Sequence, residues 1–267
     1  MNNKPIGIFD SGVGGLTVAK AIKKALPKEQ IVYFGDTAHL PYGDKSKDSV
    51  QAYSKRITGY LLAKGCKAIV IACNTASAHA YTDLKKFYPK VPIIDVIKPT
   101  VHYVTRKYNE GKIGVIATKG TIKSRIYPRK IVKKNPKLKV PQNAAPLLVP
   151  MIEEGFFNNN ISQTIINSYL SAKNFKNIQA LILGCTHYPL IKDEVENYFD
   201  DIVEVIDSAS VVADYTKKVL KKEGLSATEK KGHDHFYVSD YTKSFEQTSK
   251  LFFGQTIHLE EERIWDE

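Results

Sequence analysis

The chain has 267 residues, of which 43% are hydrophobic, so it is long enough for one large domain or two of ordinary size with buried cores. Its longest apolar runs are far too short to cross a bilayer, and its N-terminus lacks the apolar stretch of a secretory signal. Three cysteines, Cys66, Cys73 and Cys185, are too few and too widely spaced for a disulfide framework. Composition therefore excludes membrane-spanning and disulfide-rich secreted classes and predicts a cytoplasmic protein with reduced thiols.

The formal net charge of +11 raises the question of a nucleic-acid partner. However, the lysines are spread along the whole chain, and no recognised nucleic-acid motif or arginine-rich tract accompanies them. We interpret most of them as the solvated faces of amphipathic helices, with some steering of an anionic substrate. We expect no nucleic-acid and no membrane partner. The sequence leaves the oligomeric state open, and a homodimer is compatible with it.

Short β-branched runs alternate with helical patterns along the chain. Strands are predicted at 4–10, 30–35, 67–73, 92–96, 112–118, 145–149, 179–185 and 202–206. A helix is predicted at 46–64, where apolar side chains recur on one face, with Gly65 as its left-handed stop. Because the strands are apolar throughout, we expect helices on both faces of each sheet. The alternation predicts an α/β fold with mainly parallel sheets.

Two segments in the first half of the chain have counterparts in the second half. Residues 6–11 resemble residues 113–118, which lie 107 positions later, and residues 68–75 resemble residues 180–187, which lie 112 positions later. The nearly equal offsets indicate two similar α/β domains.

Cys73 and Cys185 each end one of the matched strands. Ligands of open α/β sheets bind at the carboxyl ends of the strands. The residues that follow, Asn74-Thr75 and Thr186-His187, bring backbone N–H groups and polar side chains to a helix start. Such a place suits a carboxylate and favours thiolate over thiol, so we predict a chemical role for both cysteines.

Other interpretations of the thiols stay open at this point. Buried cysteine is a common small core residue, which is our interpretation of Cys66 at a helix-to-strand junction. A disulfide between Cys73 and Cys185 is an alternative that a reducing compartment disfavours. A zinc site with His187 is another, although no C-x-x-C or H-x-x-x-H spacing accompanies it.

Two matched thiols suit a reaction with mirror symmetry, such as racemisation. One base removes a proton from a stereocentre while an acid delivers a proton to the opposite face. The α-proton of an amino-acid carboxylate is very weakly acidic, so the site needs oriented donors and exclusion of water. Spacing alone does not identify the substrate.

Four segments are similar to the signature blocks of the glutamate racemase family, in the same order and spacing: residues 7–17, 33–43, 72–76 and 183–190. The resemblance implies cofactor-independent interconversion of L- and D-glutamate, which supplies D-glutamate for peptidoglycan. It also implies two similar α/β domains with the active site in the cleft between them. We expect residues 1–97 with 208–267 to form one domain and residues 98–207 the other.

The same resemblance implies roles for individual residues. Cys73 is expected to be the base for D-glutamate and Cys185 the base for L-glutamate. Asp10 would assist Cys73, whereas His187, supported by Glu153, would assist Cys185. The residues expected to line the substrate site are Asp10, Ser11, Tyr42, Gly43, Asn74, Thr75, Thr118, Thr121, Thr186 and His187. No metal and no cofactor is expected.

Several of these residues have structural alternatives when the resemblance is set aside. Asp10 is placed to cap the next helix, and His187 could be a structural histidine. Tyr42-Gly43 alone would be an ordinary turn. The glycine turn at 12–15 lacks the order of a nucleotide loop and is interpreted as a tight turn near the substrate. Acidity at a helix start explains Glu153 and its neighbour Glu154 equally. The histidines at 39, 79 and 102 are interpreted as structural.

Two functional alternatives also stay open. The first is a racemase of the same superfamily that acts on aspartate or another small amino-acid derivative. The second is a DNA-associated protein without catalytic activity, for which the strand-end cysteines would be unnecessary.

Overall fold

The computed structural model describes residues 2–266, which divide into two compact units. The first unit contains the described residues up to Val96 and from Ala209 onward, and the second unit is Ile97–Ser208. Across residues 2–266, no helix combines the length and the apolar character that a membrane span needs.

The strands, in chain order, are β1 Ile6–Asp10, β2 Ile31–Gly35, β3 Ala68–Ile71, β4 Ile93–Asp95, β5 Gly111–Ala117, β6 Leu138–Lys139, β7 Gln142–Ala144, β8 Ala180–Gly184, β9 Glu204–Asp207, β10 His235–Val238 and β11 Glu260–Glu261. The helices are α1 Leu16–Ala25, α2 Lys47–Ala63, α3 Asn74–Phe87, α4 Ile97–Lys107, α5 Lys119–Ser124, α6 Ile126–Lys134, α7 Leu148–Glu153, α8 Asn160–Leu170, α9 Lys192–Tyr198, α10 Ser208–Lys222 and α11 Lys243–Phe253.

The first unit is built on a parallel sheet with strand order β11-β10-β2-β1-β3-β4. Every residue of β1, β2 and β3 is buried, as expected for strands covered on both faces. Asp10 pairs with Gly35, and Phe9 pairs with Ile71, so β1, β2 and β3 end at the same edge of the sheet. The residues that follow these three strands therefore lie side by side.

The second unit has its own parallel sheet, in the order β6-β5-β8-β9, with β7 also paired to β5. Ala117 at the end of β5 pairs with Gly184 at the end of β8. All strand pairs described in both units are parallel, which confirms the predicted α/β class with mainly parallel sheets.

The prediction of a helix at 46–64 is confirmed by α2. The side chain of Ser46 accepts a hydrogen bond from the backbone N–H of Ser49 at 3.1 Å, which caps the first turn. Gly65, just past the helix, has a φ of +83°, the left-handed conformation that glycine adopts without strain.

The prediction of a strand at 145–149 is wrong. The extended segment ends at Ala144, and α7 begins at Leu148. Leu148 and Ile152 are both buried and stand four residues apart, the spacing of one helical face. Pro150 is compatible with this start because the first helical turn needs no donor from its N–H groups. A short apolar run does not distinguish a strand from the beginning of a buried helix.

A buried ion pair joins four segments of the chain near the amino ends of β2 and β3. The ammonium of Lys67, just before β3, contacts the carboxylate of Glu29 and the backbone carbonyl of Asn2. The other oxygen of Glu29 accepts a hydrogen bond from the backbone N–H of Ala227 at 2.8 Å. The two charged side chains are only 3% and 2% exposed.

Replacing Lys67 by methionine should lower the free energy of unfolding by about 3–5 kcal/mol, because the Glu29 carboxylate would stay buried without its cation. Urea denaturation of the purified variant measures this loss. Lys231→Met is the matched control, since Lys231 and its partner Glu229 are 65% and 61% exposed, and it should cost less than about 1 kcal/mol. Equal stability of the two variants would contradict the role given to the buried pair.

Candidate active site

Cys73 lies at the carboxyl end of β3 and is the N-cap residue of α3. Its sulfur accepts a hydrogen bond from the backbone N–H of Ala76 at 3.4 Å and lies 3.7 Å from the hydroxyl of Ser11. The residue is 6% exposed. Donors at a helix start favour negative charge on the sulfur, which is the form that acts as a base.

Asp10 ends β1, the strand beside β3, and is fully buried. Its Oδ2 accepts a hydrogen bond from the backbone N–H of Gly15 at 2.9 Å, immediately before α1. A Cβ on Gly15 would lie 2.4 Å from the Cβ of Asp10, so only glycine fits there. The N-cap residue of α1 is Gly15 itself and has no side-chain cap, so Asp10 binds the backbone N–H just before the helix instead. This contact holds the Asp10 carboxyl group at the sheet edge shared with Cys73.

Two tyrosines stand close to Cys73 and Asp10. Burial raises the pKa of Tyr33 well above its ordinary value, and the nearby charges of Asp10 and Cys73 raise it further. Burial likewise raises the pKa of Tyr42, with further contributions from Asp36, Cys73 and Asp10. Both phenols therefore stay neutral and act as hydrogen-bond donors: Tyr33 donates to the carbonyl of Gly12 at 2.6 Å, and Tyr42 donates to Asp36 at 2.6 Å.

Cys185 occupies the corresponding place in the second unit, directly after β8. Its sulfur lies 3.8 Å from Nδ1 of His187, and Nε2 of His187 lies 2.8 Å from a carboxylate oxygen of Glu153, the last residue of α7. Cys185 and His187 are each 6% exposed. Glu153, rather than its neighbour Glu154, therefore faces the histidine.

The His187 ring is held in its charged form. Burial alone would lower the pKa of His187, but the hydrogen bonds to Cys185 and Glu153, together with their charges, raise it to about 10. At neutral pH the imidazolium therefore places a positive charge 3.8 Å from the Cys185 sulfur. A thiol, a histidine and a carboxylate thus lie in sequence, which is the arrangement found in sites with an activated nucleophile.

The threonines expected at the site lie near the ends of β5 and β8. The Thr118 hydroxyl caps α5 and donates to the hydroxyl of Thr121 at 3.2 Å. Thr186, next to Cys185, is buried. A Cβ on Gly184 would lie 2.8 Å from the Cβ of Ala117, so glycine lets β5 and β8 end close together.

The residues predicted for the site thus fall into two groups. Around Cys73, the first unit brings Asp10, Ser11, Tyr42, Gly43, Asn74 and Thr75; around Cys185, the second unit brings Glu153, Thr118, Thr121, Thr186 and His187. Each group lies at the carboxyl edge of a parallel sheet. Sequence reasoning missed Tyr33 and Asp36, although both lie within the residues 33–43 that carried the resemblance.

The third thiol differs from the other two. Cys66 lies before the amino end of β3, and burial raises its pKa to about 12. It therefore stays protonated and unreactive, as its interpretation as a core residue requires. None of the three cysteines forms a disulfide. Among residues 2–266, His, Cys, Asp and Glu side chains form no group of three or more that could hold a metal ion.

Known proteins match this chain over most of its length. Residues 6–216 match the family described as Asp/Glu/Hydantoin racemase. The glutamate racemase of Geobacter metallireducens is 42% identical over 252 residues, which are 94% of this chain and 93% of that protein. The crystal structure of glutamate racemase from Francisella tularensis in complex with D-glutamate has a TM-score of 0.93 and 41% identity, and the match covers 100% of both chains. The glutamate racemase of Thermus thermophilus in complex with β-chloro-D-alanine has a TM-score of 0.87 and 37% identity over 97% of each chain.

Proposed function

Because this chain belongs to the Asp/Glu/hydantoin racemase family and is an amino-acid racemase, we propose that it interconverts L- and D-glutamate by moving the α-proton between Cys73 and Cys185, without a cofactor. The relatives support glutamate as the substrate, since they are glutamate racemases and one of them was solved with D-glutamate bound. The observation that carries the two-cysteine mechanism is the matched placement of Cys73 and Cys185, each within two residues of the carboxyl end of a buried strand of its own parallel sheet.

With L-glutamate, the Cys185 thiolate removes the α-proton. The C–H bond breaks, an S–H bond forms, and the electron pair left on the α-carbon is shared with the carboxylate. The Cys73 thiol then gives its proton to the opposite face of that carbon, which forms the C–H bond of D-glutamate and leaves Cys73 as thiolate. D-glutamate follows the same steps in reverse, starting from the Cys73 thiolate.

The neighbouring side chains assist the two proton transfers. The His187 imidazolium, held by Glu153, stabilises the Cys185 thiolate, while Asp10 assists on the Cys73 side. Backbone N–H groups at the start of α3 and the hydroxyl and amide groups of Ser11, Asn74, Thr75 and Thr186 are suited to bind the substrate's carboxylates. Thr118 and Thr121 are further candidates for carboxylate contacts. In this proposal, the chain has two domains, 1–97 with 208–267 and 98–207, each of which contributes one cysteine.

The biological role that we propose follows from the product. D-glutamate is a component of peptidoglycan, so the reaction would supply cell-wall synthesis in the cytoplasm. No nucleic-acid, membrane or metal partner enters the proposal.

A racemisation assay with dialysed, EDTA-treated enzyme tests the proposal directly. In deuterium oxide, L-glutamate and D-glutamate should each convert to the racemate with deuterium at the α-carbon of the product, and added pyridoxal phosphate should not accelerate the reaction. Aspartate at the same concentration is the control and should react much more slowly. A faster reaction with aspartate, or product without α-deuterium, would overturn the assignment of substrate or of proton transfer.

A further inference from the structure

One buried carboxylate forms hydrogen bonds with side chains from three separate parts of the first unit. Asp36, directly after β2, is fully buried and its backbone N–H donates to the carbonyl of Asp10 at 3.0 Å. Four side chains converge on its two oxygens: Nδ1 of His39 at 3.0 Å, the hydroxyl of Tyr42 at 2.6 Å, the hydroxyl of Ser239 at 2.8 Å and Nε1 of Trp265 at 3.0 Å. His39 and Tyr42 belong to the turn that carries Tyr42-Gly43, whereas Ser239 and Trp265 follow it by more than half of the chain.

The segment of residues 262–266, called the Trp265 segment below, packs onto the same turn through aromatic contacts. The Trp265 ring meets the His39 ring edge-on at 4.6 Å between centroids and the Tyr53 ring at 5.4 Å. His39 in turn stacks on Tyr53 at 4.1 Å. Arg56, on α2, donates to the backbone carbonyl of Ile264, and its guanidinium lies 5.9 Å from the Trp265 ring. The segment is therefore fastened at several points rather than by one contact.

A second link joins the same turn to the end of β10. The hydroxyl of Ser239 accepts a hydrogen bond from the backbone N–H of Ala38 at 3.0 Å while it donates to Asp36. The hydroxyl of Thr37 accepts from the backbone N–H of Asp240 at 2.9 Å. Residues that come late in the chain thus hold both the backbone and the side chains of the turn.

We propose that Trp265 is a positioning residue for glutamate: through the buried Asp36 carboxylate, the Trp265 segment holds the Tyr42-Gly43 turn in the conformation that receives substrate. Trp265 itself need not touch the reacting atoms. Its N–H occupies one acceptor position of Asp36, and its ring prevents His39 and Tyr53 from moving apart. Loss of either effect would let Tyr42 leave its place beside Asp36. The inference rests on the proposed function, since it assigns Tyr42-Gly43 to substrate binding.

Trp265→Phe keeps an aromatic ring but removes the N–H donor to Asp36 together with part of the indole ring, so it tests both contacts of Trp265 with the turn. The KM for both enantiomers of glutamate should rise by about three- to tenfold, the effect of a hydrogen bond of ordinary net strength. The kcat should stay within about twofold, because the cysteines are untouched. Ser239→Ala removes a second donor to the same carboxylate and should shift KM in the same direction.

Arg263→Ala is the matched control within the segment, because the Arg263 side chain is 71% exposed and bonds only to Glu261 among the contacts described. Its KM should equal that of the unmodified enzyme. An unchanged KM in Trp265→Phe, or an equal rise in Arg263→Ala, would overturn the proposal. Failure of the proposed function would appear separately, as absence of glutamate racemisation in the unmodified protein.

A second measurement needs no Trp265 variant. Trp265 is the single tryptophan of the sequence, so the tryptophan fluorescence of the unmodified enzyme reports on this residue alone. Intrinsic fluorescence of the unmodified enzyme should change saturably as racemic glutamate is added, with a midpoint near KM. Tyr42→Phe removes the hydroxyl that joins the turn to Asp36 and should abolish that change. Fluorescence that does not respond to saturating glutamate would contradict a link between the Trp265 segment and the substrate.

Discussion

Replacing either Cys73 or Cys185 by serine should lower glutamate racemisation by about 10³-fold, the typical contribution of a positioned acid or base that acts in the transition state. A serine hydroxyl is a far weaker acid than a thiol, whose ordinary pKa is about 8.5, so serine is a poor proton acceptor when neutral and is not ionised near pH 7. In the proposed mechanism each turnover uses one cysteine as base and the other as acid, so the two variants should be similarly impaired. Circular dichroism of the glutamate in the reaction mixture, followed over time in separate assays that start from each enantiomer, measures the loss.

The third cysteine is the matched control for this experiment. Cys66 is as buried as the other two, and burial raises its pKa to about 12, so it takes no part in proton transfer at neutral pH. Cys66→Ala should therefore keep turnover within about twofold of the unmodified enzyme. Near-normal turnover in purified Cys73→Ser or Cys185→Ser would exclude the two-thiol mechanism.

Replacing His187 by asparagine should lower kcat/KM by about 10²-fold, since the Cys185 thiolate would lose the imidazolium that lies 3.8 Å from its sulfur. The two enantiomers have equal free energies, so kcat/KM must fall equally in both directions. The asymmetry of the site appears instead in the primary isotope effect. Proton transfer at Cys185 becomes more rate-limiting, so α-deuterated L-glutamate should show a larger effect than α-deuterated D-glutamate.

Asp10→Asn is the corresponding substitution on the Cys73 side and serves as the control. Asp10 stands beside Cys73, so its replacement should make the isotope effect larger with α-deuterated D-glutamate and smaller with the L-enantiomer. Equal isotope effects for the two enantiomers in His187→Asn would show that His187 does not serve Cys185 in particular. Glu153→Gln, which weakens the contact that orients His187, should resemble His187→Asn with a smaller loss.

The parallel sheets could be predicted because their central strands are continuous apolar runs, such as Ala68–Ile71 and Ala180–Gly184, and such runs are typical of strands buried on both faces. Strand β11 escaped prediction because it consists of two exposed glutamates, Glu260 and Glu261. It is extended only because it pairs with β10. The strand predicted at 145–149 was wrong because its residues are apolar, and an apolar run of this length fits the periodicity of a strand and of a helix equally well.

The two cysteines could be found from the sequence because each directly follows an apolar strand. The contact between His187 and Glu153 needed the family resemblance, because 34 residues separate the two side chains and no local pattern joins them. The convergence on Asp36 could not be predicted at all. Ser239 and Trp265 are 203 and 229 positions away from it, and only the folded chain brings these donors to one carboxylate.

The order of strands in the first sheet also bears on how the protein is made. Strand β10, at residues 235–238, pairs with β2, at residues 31–35. The β2 edge of that sheet therefore lacks β10 and β11 while residues 97–208 are being synthesised. The second unit is continuous in sequence and can complete its own sheet earlier. The first unit must keep an open strand edge until much later, a state prone to pairing with other chains. The turn around Tyr42 is the last part of the Cys73 group to be secured, because its anchor arrives only with residue 265.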